Sequence, residues 1–245
     1  MSTRDGRRIL VGHQPAYLPG PGYFSRLLDV PHFLVLDHVQ FSQGSWQQRN
    51  RVPGPDRAPR WLTVPVRQRF GQPIRDVQIS GDRWRRRHWQ NLSQSYGSAP
   101  FWSAWEPQLR AVYDRPWSHL LPLNLELIRL MLDGFGIEVE IIGSSALAPR
   151  GAKTGMLVDL CRRTGSNVLR VGTGAAAYLD TALLDRAGID VQVASYAADN
   201  EGLWEVGSPG LTALELLVHY GPAARARLAD GARLTNGSFA EAAHE

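Results

Sequence analysis

The sequence predicts an α/β protein with a largely parallel sheet, flanking helices and a mainly helical cap or second lobe. Three observations predict it. Short apolar runs recur at 7–12 (RRILVG), 32–41, 138–145, 167–172 and 189–196. Each suits a strand and is too short for a helix. Segments with helical spacing lie between most of them, and such crossovers join parallel strands. A third stretch, 82–136, carries helical patterns with no strand pattern inside it.

The elements follow in order. RRILVG reads as a buried strand, and HQPAYLPGPG (13–22) is too rich in Pro and Gly for regular structure. YFSRLLD (23–29) has its apolar residues at 24, 27 and 28, which is helical spacing. HFLVLDHVQF (32–41) is a second strand. SQGSWQQRNRV (42–52) reads as a polar loop and PGPDRAP (53–59) as a turn. WLTVPV (61–66) and IRDVQI (74–79) read as strands, with Pro65 placing the first at an edge. Helices follow, after Asp82, over 101–113 and over 117–136, the last ending near Gly134 or Gly136. EVEIIGSS, NVLRVG and IDVQVASY return to strand, alternating with helices at 155–165 and in TALLDRAG. LTALELLVHYG (211–221) is a last helix. One domain over 1–225 is expected, with its cap at about 82–136 and a flexible tail over 226–245.

Of 245 residues, 43% are hydrophobic and 20% charged, enough for a sizeable core. No run reaches the roughly 18 apolar residues of a membrane span. The short apolar stretch behind the basic start is no secretory signal, so a cytoplasmic location is expected. Cys161 is the single cysteine, which excludes a disulfide framework or a cysteine-rich zinc site, and its apolar helix makes it core. The net charge is +4, and Lys153 is the one lysine among 27 basic residues. Arginine suits phosphates and carboxylates, but no helix-turn-helix, zinc-finger or RNP-like motif appears, so no nucleic-acid partner is expected. No metal-ligand spacing, Walker or G-x-S-x-G sequence appears, and no cofactor is expected.

HQPAYLPGPGYFSRLL, LDHVQFSQGSWQQRNRV, WLTVPV, the spacing of Trp84, His88 and Tyr96, the Asn124 helix and LVDLCRRTGSNVLRVGTGAAAYLD together resemble the WbqC-like family over roughly 9–220. Gly20 departs from the family's usual Trp, and AADNEGLW (197–204) stands where a Pro-Tyr-Gln run is common. The resemblance implies an enzyme of surface-polysaccharide or specialised-metabolite biosynthesis, with a transferase role on small activated substrates.

The candidate site gathers residues expected at strand ends, where open α/β sheets bind ligands. His13 is a candidate base near neutral pH, with Gln14 and Tyr17 beside it. Asp37 and Gln40 end the second strand; Asp37 could fix the tautomer of a histidine or hold a substrate amine, whereas strand alternation turns His38 the other way. Trp46, Gln47, Arg49, Asn50 and Arg51 form a polar block suited to an anion. His88 and Tyr96 fall near one face of a helix, with His88 a candidate base. Asn124 interrupts an apolar stripe, as an interhelical anchor or a ligand contact. Lys153, Gly172 and Gly174 sit before or at the start of helices, where an anion is favoured.

The expected function is a transferase moving an acyl or aminoacyl-type group to an amine or hydroxyl. Its partners would be small molecules, with an anionic or activated donor such as a nucleotide sugar or a free or carrier-bound thioester. The alternatives are a nucleotidyltransferase-like enzyme, although His13 lacks a second histidine three residues on, and a non-catalytic ligand-binding module.

Overall fold

The structure, a computed structural model, describes residues 6–54, 58–176, 178–197 and 210–236. In chain order the elements are β1 (Ile9–His13), α1 (Pro21–Ser25), β2 (His32–Val35), β3 (Arg49–Pro53), β4 (Pro59–Thr63), β5 (Val66–Arg67), β6 (Gln78–Ile79), α2 (Arg83–Tyr96), α3 (Trp102–Asp114), α4 (Leu120–Gly134) and β7 (Glu140–Gly143). Then come α5 (Lys153–Thr164), β8 (Val168–Gly172), α6 (Thr173–Ala176), α7 (Thr181–Arg186), β9 (Asp190–Tyr196), α8 (Leu214–Tyr220), α9 (Ala224–Asp230) and β10 (Ala232–Asn236).

The main sheet runs β10-β9-β8-β1-β2-β7. All neighbours are parallel except β10, which pairs antiparallel with β9 at the edge. Strand order therefore reverses between β1 and β8, the switch point of a doubly wound sheet. The predicted fold class holds.

Alternation along the strands sorts the core into two clusters. Leu10, Leu34, Leu169, Val171 and Val193 point one way, onto α5 and α7. Val11, Phe33 and Val35 point the other way, into a cluster shared with α1, α2, α3, α4, α8 and α9. The helices of 83–134 thus share one core with the sheet and form its thick covering layer. Phe24 and Phe135 meet there at 5.4 Å, and burial of each such side chain contributes about 1.5–3 kcal/mol.

Several local expectations are corrected. The polar segment 42–52 ends in β3, which pairs antiparallel with β4 from Arg49↔Thr63 to Pro53↔Pro59. Half-burial explains it: Asn50 and Val52 face inward while Arg49 and Arg51 face outward, a pattern hidden by an inward asparagine. β2 stops at Val35, and Asp37 just beyond it accepts the Ser145 N–H from the segment after β7. IRDVQI is a 3-10 turn at Ile74–Asp76 followed by the short β6. Residues 226–236 were expected in a tail; they lie in α9, which buries Leu228, and in β10, which completes the sheet edge. The divergent run 197–204 lies outside the described residues beyond Ala197. Among the described residues, no helix is long and apolar enough to cross a membrane.

Candidate functional site

β1 carries His13 to the carboxyl edge of the sheet on the same face as Val11, with its ring edge-on to Tyr23 at 4.8 Å. The His13 Nδ1–H donates to the Gln14 carbonyl at 2.8 Å. That bond assigns the tautomer and leaves the lone pair on Nε2. Burial, then the nearby Arg26 charge, lower its pKa to about 3 against the Gln14 bond, so the ring is neutral near pH 7.

Gln14 turns toward a cleft of about 610 Å³ lined also by Leu36, His38, Lys153, Met156 and Tyr178. The cleft lies over the ends of β1 and β2 against the start of α5. Lys153 stands there with a φ of 50°, a left-handed conformation costing a lysine on the order of 1 kcal/mol. Thr154 beside it accepts the Asp180 backbone N–H at 3.0 Å, and Asp180 caps α7.

Asp37 is buried at the neighbouring strand end, but it does not reach His13. Its carboxylate accepts Ser145 N–H at 2.8 Å, Ser145 Oγ at 2.6 Å and Ser144 Oγ at 3.0 Å. Burial raises its pKa, and these bonds more than offset that, holding the carboxyl below its ordinary value. The histidine it meets is His38, whose Nδ1 lies 2.5 Å from Ser144 Oγ and whose Nε2 lies 3.0 Å from Met156 Sδ, while Ser144 Oγ lies 3.0 Å from Asp37. His38 was set aside on alternation, which fails because β2 has already ended.

The polar block separates into two groups. Buried Gln47 donates to Gln14 Oε1 at 2.8 Å and accepts Ser42 N–H at 3.1 Å. Asn124 donates to the Gln47 carbonyl at 2.8 Å. Asn50 donates to the Leu18 carbonyl and accepts Arg51 N–H. Gln47, Asn50 and Asn124 therefore brace the strand-end loops. On the outer face, Arg49 stacks on Trp61 at 4.2 Å, and Arg51 lies near Trp46 and Trp61, which stack on each other at 5.4 Å. Both tryptophans are nearly half exposed, at 49% and 44%. Gln40 is exposed and bridges to Pro73, outside the cleft lining.

His88, Tyr96 and Tyr17 are core residues. His88 is 1% exposed, and its Nδ1 meets Tyr17 Oη at 2.8 Å; Tyr17 Oη also meets Tyr113 Oη at 2.6 Å. Burial, then Arg87, lower the His88 pKa to about 3, against the Thr63 backbone. Burial raises that of Tyr96, as does the Glu215 carboxylate facing it. Helical spacing correctly placed His88 and Tyr96 with Trp84 on one face, but that face packs on the core. Cys161 is buried, which pushes its thiol up to about 12.

Arg26, at the C-terminal end of α1, was missed because it falls between the apolar positions 24, 27 and 28 of a short amphipathic helix and reads as a solvent-facing residue. Its Nε–H donates to the Gly22 carbonyl at 2.8 Å. A Cβ on Gly172 would lie 2.8 Å from Nη2 and 2.9 Å from Nη1, so the outer guanidinium edge rests against the end of β8. Gly174, two residues on, has open space around it.

The sheet order and the polar side chains at the strand ends beside the switch point define an open, doubly wound α/β protein. Residues 14–227 match the WbqC-like protein family, and the chain belongs to that family. The chain is 29% identical over 213 residues to the uncharacterized protein Rv1507c of Mycobacterium tuberculosis, covering 85% of this chain and 92% of that one. No solved structure gives a significant match.

Proposed function

We propose that the protein is a small-molecule transferase that moves an acyl or aminoacyl-type group from an activated donor to an amine or hydroxyl, as a step in biosynthesis of a surface polysaccharide or specialised metabolite. The observation that carries this is His13 at the end of β1, with Nδ1–H bonded to Gln14 and Nε2 left as the basic nitrogen. With its pKa lowered to about 3 by burial and Arg26, this imidazole is a weak base, and its role is to take the proton at Nε2 as the attacking amine or hydroxyl loses it in the transition state. Gln14 adds its amide N–H groups, because its Oε1 is occupied by Gln47. Lys153 supplies positive charge at the cleft for an anionic donor. Such chemistry takes place in the cytoplasm on soluble substrates.

A second reading has one observation in its favour. The order β7-β2-β1-β8-β9 is that of nucleotide-binding doubly wound sheets, which suits a nucleotidyl donor. Against it, HQPAYLPGPG after β1 lacks the glycine spacing of the dinucleotide fingerprint.

The test is a thermal-shift screen of acyl thioesters, nucleotide sugars and nucleoside triphosphates, with hits incubated with amines and followed by mass spectrometry. A new acyl-amine or acyl-hydroxyl product, lost in His13→Gln with binding retained, supports transfer. Pyrophosphate release selects the second reading. Saturable binding with no turnover, or full turnover in His13→Gln, sinks the assignment of His13 as base.

A further inference from the structure

We propose that Arg26 is an oxyanion-binding residue: its outer guanidinium edge, set against Gly172 at the end of β8, takes the carboxylate or phosphate of a small-molecule ligand. This rests on reading the strand ends as a small-molecule site, and is independent of which reaction occurs there.

The first support is how the arginine is held. The Nε–H bond to Gly22 fixes the plane of the guanidinium. The backbone at Arg26 is pinned as well: its carbonyl accepts Arg170 Nη1–H at 2.9 Å, and Arg170 Nε–H donates to Gln192 Oε1 at 3.1 Å. A buried arginine thus serves to hold another in place. Yet Nη1 and Nη2 of Arg26 donate to no acceptor among the described residues, and no carboxylate pairs with them. Arg110 and Arg163, on the surface, pair with Asp114 and Asp159. Arg26 is half-buried, so its guanidinium is partly withdrawn from water with no acceptor on its outer edge; that is unfavourable, and burial lowers its pKa accordingly. An anion supplied by a ligand would remove that penalty.

The second support is Gly172. Any side chain there would strike the guanidinium at 2.8–2.9 Å, so glycine is what allows Arg26 to lie over the strand end. The third is position. Gly172 ends β8 and His13 ends β1, the two strands between which the order reverses. Ligands of doubly wound sheets bind at that crevice. Two parallel N–H groups on Nη1 and Nη2 match the two oxygens of a carboxylate or of a phosphate face. Arg26 also depresses the basicity of His13, so a bound anion would shield the imidazole from that charge.

The experiment titrates the full chain with sodium phosphate and, separately, sodium acetate at constant ionic strength. The Arg26 Nε–H and His13 imidazole resonances are followed by NMR. Saturable shifts of both are expected with at least one anion. A response to phosphate alone assigns a phosphorylated ligand, and one to acetate alone a carboxylate. Arg26→Gln should weaken binding by about tenfold or more. Gly172→Ala should do the same without removing charge, because the methyl would displace the guanidinium; Arg110→Gln, on the surface away from the strand ends, should leave binding within about twofold. No saturable shift with either anion overturns the proposal, as does wild-type binding in folded Arg26→Gln or in Gly172→Ala. If Arg26→Gln fails to fold by circular dichroism, Gly172→Ala decides. Anion binding without turnover would sink group transfer and leave this site standing. Turnover with undiminished anion binding in Arg26→Gln would do the reverse.

Discussion

The side-chain amide of Gln47 donates to the side-chain carbonyl of Gln14 across 2.8 Å, joining the loop before β3 to the turn after β1. Since Ser42 N–H occupies Gln47 Oε1, the orientation of both amides follows, and Gln14 keeps its N–H groups for the cleft. Gln47→Ala should remove both bonds and leave Ser42 N–H short of a partner. Loss of about 1–3 kcal/mol in urea unfolding is expected. A change under about 0.5 kcal/mol would show that the link does not hold the loops.

Asp37 is predicted to be a structural carboxylate. It stabilises the turn after β7 through Ser144 and Ser145. Asp37→Asn keeps the shape and loses the charge-assisted bonds, for about 1–3 kcal/mol near pH 7. The folded pKa lies below the ordinary value of 3.8, so the folded state binds fewer protons than the unfolded one in acid. The stabilisation is therefore present above the unfolded pKa and lost as pH falls through the folded one. The gap between wild type and variant should begin to narrow below about pH 4 and close only below the folded pKa. A gap that persists unchanged at pH 3 would contradict the assignment.

How much of this was legible differs by residue. The order of strands and helices at 7–41 and 138–196 follows from periodicity, and so does the parallel sheet. His13 and Gln14 were found because a polar pair directly after an apolar strand marks the sheet's carboxyl edge. His88, in an arginine-rich run, and Asn124, within an apolar stripe, both stand out in sequence as site candidates, yet both are buried in the core or the loop framework, bonded through His88 Nδ1 and Asn124 Nδ2. Sequence spacing gives the face of a helix and is silent on what covers that face. Arg26 and His38 depend on contacts with Gly172 and Ser144, more than 100 residues away in each case. No local pattern encodes such a pairing. β3 was missed since its inward asparagine breaks the apolar alternation, although Asn50 is fully engaged with Leu18.

Acid should unfold the protein in part through His88. Burial and Arg87 hold its folded pKa at about 3, against an ordinary value of 6.5. Between those values the unfolded chain takes up a proton that the folded one refuses. Stability is thus present above pH 6.5 and falls as pH drops toward 3, by up to about 1.4 kcal/mol per pH unit per histidine. His13 shares the direction. His88→Phe removes one such proton and should flatten the profile of stability against pH over this range, despite losing the Tyr17 bond. Profiles of equal slope in wild type and His88→Phe would mean that His88 is protonated in the folded state.

Arg51 should prove a bracing residue whose charge alone is insufficient. Its Nε–H donates to the Gly210 carbonyl at 2.8 Å, while its guanidinium lies 5.7 Å from the Trp46 ring and 5.4 Å from that of Trp61. The Arg51 carbonyl also accepts Thr212 N–H, so the residue ties the hairpin of β3 and β4 to the chain entering α8 on two sides. Lysine at this position keeps the positive charge but has neither the Nε–H nor a planar face for the indoles. Arg51→Lys should therefore cost about 1–2 kcal/mol of stability. The ring contribution is separable by a double-mutant cycle with Trp61→Ala, which should give a coupling of about 0.5–1 kcal/mol. Gly210→Ala provides an independent check, because a Cβ there would clash with Arg51 Nη2 and must push the guanidinium aside. If Arg51→Lys and Gly210→Ala both unfold like wild type and the coupling is nil, the contact contributes nothing to the fold. The guanidinium would then be better sought as a ligand group on the exposed Trp46 and Trp61 face.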